Sequence, residues 1–152
     1  NQEIRDNMTM AGNPPRMKVR RSGTQSLTNN VITDLTWDQE FYDSDSMHST
    51  SVNTQRGTTN TAGLYELQLD LEFQANAAGH RGIHLNHSVD GIVAKHYLPL
   101  TGAAVSPIMY VAGDYQFTAG QYGFSQAWQT SGTTLVVGAS VWDSFTMRRV
   151  SV

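Results

Sequence analysis

Between Gly63 and Phe73 apolar and polar side chains alternate without a break. Tyr65, Leu67, Leu69, Leu71 and Phe73 fall on one side and Glu66, Gln68, Asp70 and Glu72 on the other. A period of two belongs to extended backbone, whose successive side chains point to opposite faces; an amphipathic helix would group its apolar residues three and four apart. A strand this regular has one dry face, which must be covered by a second layer. The run therefore predicts an all-β domain built as an antiparallel two-sheet sandwich, with these five apolar residues in its core.

The chain has 152 residues, enough for one domain with a real core. Charged residues are only 15% and hydrophobic ones 39%, and the apolar residues sit in periodic runs, so the chain is expected to fold. A formal net charge of -3 gives no reason to expect nucleic acid as a partner. The one basic cluster, Arg16, Lys18, Arg20 and Arg21, reads as the wet face of a strand whose Met17 and Val19 point inward. There is no cysteine, which excludes disulfides, thiolate chemistry and sulfur-ligated zinc, and argues for a bacterial or viral source. No apolar run approaches the roughly 20 residues of a membrane span, so no membrane insertion is expected. No signal-peptide pattern is visible, and the chain begins at Asn1, as expected of a processed product or a portion of a longer one.

Residues 1–15 have no periodicity and end in Pro14-Pro15, which reads as an arm or linker before a domain spanning 16–152. Arg16–Arg21 is the first strand. Val31–Tyr42 is strand-like, with Ile32, Leu35, Trp37 and Phe41 expected inside and a bulge, or two short strands, near Thr33-Asp34. Residues 43–62 form a polar connection. Asp43 and Asp45 suggest a calcium loop, but the glycine and distal glutamate of such loops are missing. Arg81–Asn86 and Ile92–Leu98 are strands joined by Ser88-Val89-Asp90-Gly91, with Asp-Gly expected to form a type I′ turn. Ala112-Gly113-Asp114 reads as another turn. Tyr122, Phe124 and Trp128 share one strand face, with Gln126 among them. Ser144–Val152 is the last strand, with Phe145 and Met147 inward and a change of phase at Arg148-Arg149. In all, eight to ten strands and no helix are expected.

The order of these signals resembles one family. Gly-Leu-Tyr at 63–65, Asn-x-x-Gly-x-Arg at 76–81, Ala-Gly-Asp-Tyr at 112–115, Gln-x-Ser-Gly at 129–132 and Phe-x-Met-Arg at 145–148 look like the jelly-roll heads of complement and tumour-necrosis-factor-like proteins. Leu-Thr-Trp-Asp-x-Glu-x-Tyr-Asp at 35–43 looks most like the versions found in bacteriophage structural proteins. The resemblance implies a ten-strand jelly roll, assembly as a homotrimer with aromatic side chains near the threefold axis, and a binding or structural role. No heptad stalk or collagen repeat is present to set the register of a trimer.

Catalytic and metal chemistry find little purchase. His80, His84 and His87 lie close in sequence, with His96 across the predicted hairpin, and a histidine ring on a threefold axis is weighed against exposed strand and turn residues. The row Glu66, Asp70 and Glu72 offers carboxylates in similar environments, whereas glycoside hydrolysis needs them in different ones. No Gly-x-Ser-x-Gly elbow or phosphate-cradling loop occurs. No catalytic residue, cofactor or metal site is therefore assigned.

The reading that results is a non-enzymatic homotrimer on the surface of a bacteriophage virion. It would be a capsid decoration or head appendage held by its N-terminal arm, with Ile4, Met8 and Met10 as arm contacts to capsid or other virion proteins. The alternative is a fibre or spike tip that binds a host surface receptor or glycan. Tyr122, Phe124 and Trp128 are the candidate trimer interface, unless the same stripe fills the protomer's own core.

Overall fold

The computed structural model describes residues 12–102, 104–138 and 140–151. The arm candidates Ile4, Met8 and Met10 lie outside the described residues. Every named element is a strand: β1 (Arg16–Arg20), β2 (Gln25–Leu27), β3 (Thr33–Asp34), β4 (Gln39–Asp43), β5 (Arg56–Thr58), β6 (Gly63–Glu72), β7 (His80–His87), β8 (Gly91–Pro99), β9 (Ile108–Phe117), β10 (Tyr122–Gln129), β11 (Leu135–Val137) and β12 (Ser144–Ser151). They form one five-stranded sheet of order β4-β1-β12-β6-β9, here the β6 sheet. A second has order β3-β10-β7-β8 with β5 also on β10, here the β10 sheet, and β2 pairs with β11 in a small ribbon. All the pairings are antiparallel.

Both sheets contribute to a single core. Tyr65, Leu67, Leu69, Leu71 and Phe73 of the alternating run have no exposed surface, and Met17, Val19, Phe145 and Met147 join them from β1 and β12. Ile83, Leu85 and Ala127 face them from the β10 sheet. Trp37 lies within this core, stacked on Phe145 with ring centres 6.3 Å apart, its indole N–H donating to Ser125 Oγ.

Several sequence expectations change, each for a physical reason. Val31–Tyr42 takes the second of its two expected forms, two short strands, and these lie in different sheets: β3 pairs with β10 and β4 with β1, so the chain crosses between sheets at Leu35–Asp38. Leu35 and Trp37 are buried at the crossing, whereas Ile32 and Phe41 are half-exposed, at 53% and 50%. Ala112-Gly113-Asp114 does not turn; β9 runs straight through it, and Gly113 serves a close approach, because a Cβ there would lie 2.9 Å from Ala94 Cβ on β8. The 88–91 hairpin exists, but only Gly91 has positive φ, at 78°, so the turn is a three-residue loop closed by a left-handed glycine rather than type I′. β5 lies inside the stretch read as a polar connection. Asp43 there organises a turn, its carboxylate accepting the N–H groups of Asp45, Met47 and His48 at 3.2, 3.0 and 2.8 Å. β12 keeps its phase through Arg148-Arg149, because Arg149 itself is buried against Gly63.

The boundary of the domain also sharpens. Pro15 is buried and its carbonyl accepts the Arg149 N–H at 2.8 Å, so the last residues of the expected arm are docked on the sheet.

Asp143 ties the entry of β12 to the end of β6. It is buried, and its Oδ1 accepts the Glu72 N–H at 2.7 Å. Burial pushes its carboxyl up to about 6, with amide hydrogen bonds from Glu72 and Ser140 opposing and the Glu72 charge adding to the rise. A carboxyl raised on folding binds its proton more tightly in the native state. Its ionisation therefore removes stability as pH rises from the unfolded value of 3.8 through about 6.

Two outcomes are expected from chemical denaturation. Leu69→Ala should lose about 2–5 kcal/mol, because the side chain is fully buried and its surroundings relax only partly around the cavity. Asp143→Asn keeps an acceptor for Glu72 and has no charge to bury. Its advantage over the wild type should be near zero at about pH 4 and grow to on the order of 2 kcal/mol by about pH 7.

Candidate functional site

The β10 sheet turns Gly123, Ser125, Ala127 and Gln129 inward, so Tyr122, Phe124, Gln126 and Trp128 project from its outer face. The aromatic stripe therefore does not fill the protomer core. Its rings are already half-covered from within the same protomer. The Arg56 guanidinium sits 4.5 Å over Tyr122, Tyr122 meets Phe124 at 5.9 Å, and Trp128 meets Tyr97 edge-to-face at 6.0 Å and 86°.

At the Trp128 end this face opens into a groove of about 530 Å³ lined by Ile32, His80, His84, Tyr97 and Trp128. Register assembles it. Gly82 in the middle of β7 lies directly between Trp128 on β10 and Tyr97 on β8. A Cβ on Gly82 would stand 2.8 Å from the Tyr97 ring and 3.2 Å from Trp128, so glycine is what lets the two rings lean together across the strand. Ile32, left half-exposed by the crossing after it, closes one side.

His84 is the next outward residue on β7 and is almost fully buried beneath these rings. Its Nε2 lies 2.8 Å from Tyr97 Oη, while Nδ1 has no hydrogen-bond partner among the described residues. Gln126 beside it is engaged elsewhere, its Oε1 accepting from Asn86 at 3.1 Å and its Nε2 donating to Asp34 at 2.8 Å. Burial pushes the imidazole pKa down, with Lys95 acting in the same direction and Gln126 opposing. His84 is therefore neutral at pH 7. We assign its proton to Nε2, since an orphaned acceptor is tolerated better than an orphaned donor. Nε2–H then donates to Tyr97 Oη, and the Tyr97 hydroxyl keeps its own proton free for an acceptor in the groove.

The other titratable candidates do not converge. His87 points inward between Tyr115 and Phe117, with Nε2 3.0 Å from Gln121 Oε1, and His96 lies on the edge strand with Nδ1 3.0 Å from the Tyr110 carbonyl. Of the four histidines singled out in the sequence only His80 and His96 are exposed, and no group of three or more potential ligands that could hold a metal occurs among the described residues. Glu66, Asp70 and Glu72 line the outer face of the β6 sheet, half-buried. Glu66 pairs with Arg148 at 2.7 Å, and burial raises the Asp70 carboxyl against the pull of Lys18.

That outer face carries a feature the sequence did not disclose. On the β4–β1 side Arg16 lies over Tyr42 at 5.1 Å, and Lys18 and Arg20 lie over Phe41 at 5.5 and 4.7 Å. On the β6–β9 side stand Glu66, Asp70, Glu72 and Asp114, with Ile108 and Tyr110 exposed at 64% and 51%. One sheet face is thus basic and aromatic at one edge, acidic and apolar at the other.

No protein-family model and no curated protein matches the chain. Solved structures do. Murine APRIL at pH 5.0 superposes with a TM-score of 0.68 at 11% identity, covering 90% of this chain and 99% of that one. The fold is the TNF-like jelly roll. Eiger TNF from S. frugiperda matches at 0.63 and 11% identity over 91% and 94% of the two chains, and the globular domain of zebrafish complement 1qA protein at 0.56 and 13% over 90% and 97%. Among the described residues no helix is long and apolar enough to cross a membrane.

Tyr97→Phe keeps the ring and removes the partner of His84. Denaturant unfolding should show a loss of about 1–3 kcal/mol, the cost of leaving a buried donor unmet.

Proposed function

We propose that the chain is a non-enzymatic homotrimeric surface protein of a bacteriophage virion. The observation that carries self-association is the divided outer face of the β6 sheet. A head-to-tail contact joins two different patches and can close into a ring. The basic edge with Phe41 and Tyr42 matches in charge the acidic edge with Ile108 and Tyr110 of the next copy, and the contact would cover all four apolar rings and chains. The stripe Tyr122, Phe124 and Trp128, already partly covered within the protomer, is left for other partners. Support for a binding or structural role comes from the same face, where Glu66 is paired with Arg148 and where large apolar side chains stand exposed at both edges. Support for the virion setting is the phage-like element at 35–43 together with the absence of cysteine.

Within that setting, attachment of a decoration protein through the arm is the leading role, with Ile4, Met8 and Met10 as its contacts to the capsid. A receptor- or glycan-binding tip is the second reading, favoured by the open aromatic groove on the opposite face.

Light scattering on the purified chain should give three times 16.8 kDa. Tyr110→Lys should yield monomers, because it sets a positive charge against the next copy's basic edge and removes an apolar ring from the contact, while Phe124→Glu should leave the trimer intact. A monomeric wild type at micromolar concentration overturns the assembly; the reverse response of the two variants moves the interface to the β10 sheet.

The attachment role makes a separate prediction. A chain shortened to begin at Asn13 keeps the docked Pro15 and should remain a trimer, yet fail to bind bare capsids. Undiminished capsid binding by that chain removes the arm from the mechanism.

A further inference from the structure

We infer that the groove between β8, β7 and β10 is a binding site for one pyranose ring of a carbohydrate. The inference deepens the receptor-binding reading and rests on it. A pyranose is two-sided in chemistry: its C–H groups make an apolar face and its hydroxyls a rim that both donates and accepts. The groove is two-sided in the same way. Trp128 and Tyr97 make an aromatic wall, with Ile32 at its side. Polar groups stand at the margins: the His80 imidazole, the Tyr97 hydroxyl with its free proton, and the Asp34–Gln126 pair one step along β10.

Other small ligands fit less well. A flat aromatic compound can stack on one ring and meet the other, at 86° to it, edge-on, but it leaves the polar groups at the margin without partners. A phosphate group calls for a guanidinium fork or a cluster of amide donors, and no arginine is among the described residues that line the groove. Lys95 is the cation beside it, and its ammonium lies 5.5 Å over the Tyr97 ring. The volume, about 530 Å³, is that of a small-ligand pocket. The site is also preorganised. Gly82 fixes the lean of the two rings, and the His84–Tyr97 hydrogen bond fixes the direction of the hydroxyl. In the proposed trimer the contact uses the outer face of the other sheet, so the groove would stay open to solvent.

The three tryptophans give the test a local readout. Trp37 is buried in the core and Trp142 is exposed at 74% on the loop before β12, so the three indole N–H signals sit in different environments and can be assigned by single Trp→Phe changes. The full chain, labelled with ¹⁵N, is titrated with methyl glycosides of glucose, galactose, N-acetylglucosamine and glucuronic acid, and separately with inorganic phosphate and with indole. At least one glycoside should move the Trp128 signal and leave that of Trp37 in place. By saturation transfer to the same sugar, Trp128→Ala should weaken binding roughly tenfold and Tyr97→Phe about threefold. No shift with any glycoside at about 50 mM overturns the site, as does a shift given only by phosphate or indole. Sugar binding unchanged in both variants also overturns it, placing the sugar elsewhere. Host-cell binding separates the two ideas. Cells bound equally by wild type and Trp128→Ala, with no glycoside in the groove, would sink the groove and keep the receptor reading. A glycoside in the groove with no cell binding would keep the groove and sink that reading.

Discussion

Two glycines set how closely the sheets approach. Gly57 on β5 and Gly123 on β10 are cross-strand partners on the inner face of their sheet. A Cβ on Gly57 would lie 2.7 Å from Met147 Sδ, and one on Gly123 would lie 2.8 Å from Leu67 Cδ2 and 3.0 Å from the same sulfur. The pair forms a notch in one sheet that receives Met17, Leu67 and Met147 of the other. The alternation of β6 depends on that notch, because an apolar face is stabilised only where the opposing surface meets it at van der Waals distance. Unbranched methionines suit such a gap, since their three rotatable bonds let the thioether follow its shape.

What the sequence disclosed and what it hid divide along this line. β6 was legible because one face is wet and the other dry, which is the condition under which period two appears. β7 was legible as a strand over Arg81–Asn86, but not which of its faces is dry: its inward set is Arg81, Ile83, Leu85 and His87, two of them polar. Arg81 is tolerated there because its guanidinium donates to the carbonyls of Ala78 and His80, both at 3.0 Å, and no periodic pattern announces such a bond. The crossing at Leu35–Asp38 appeared in the sequence only as a slip of phase. Gly113 looked like a turn because a glycine needed for room and a glycine needed for backbone freedom read alike.

The groove was half visible. Trp128 stood out as part of an aromatic stripe and His84 as one of a cluster, but Tyr97 belonged to neither. Nothing short of the register Trp128–Gly82–Tyr97 brings the three strands' residues together. The charge division on the other sheet was hidden for the same reason. Its basic edge comes from β1 and β4 and its acidic edge from β6 and β9, strands that are neighbours only after β12 has been laid between them.

That insertion of β12 also governs when the fold can exist. β12 pairs with β1 on one side and β6 on the other, so the β6 sheet stays in two separate pieces until β12 is in place. During synthesis β6 can pair with β9 once that strand has emerged, but its other edge remains open, apolar on one face and unpaired along its length. Such an edge is a template for pairing with another chain. Like charges on the half-buried residues Glu66, Asp70 and Glu72 disfavour the pairing of two such edges, so the wet face of the strand bears on association as well as on solubility.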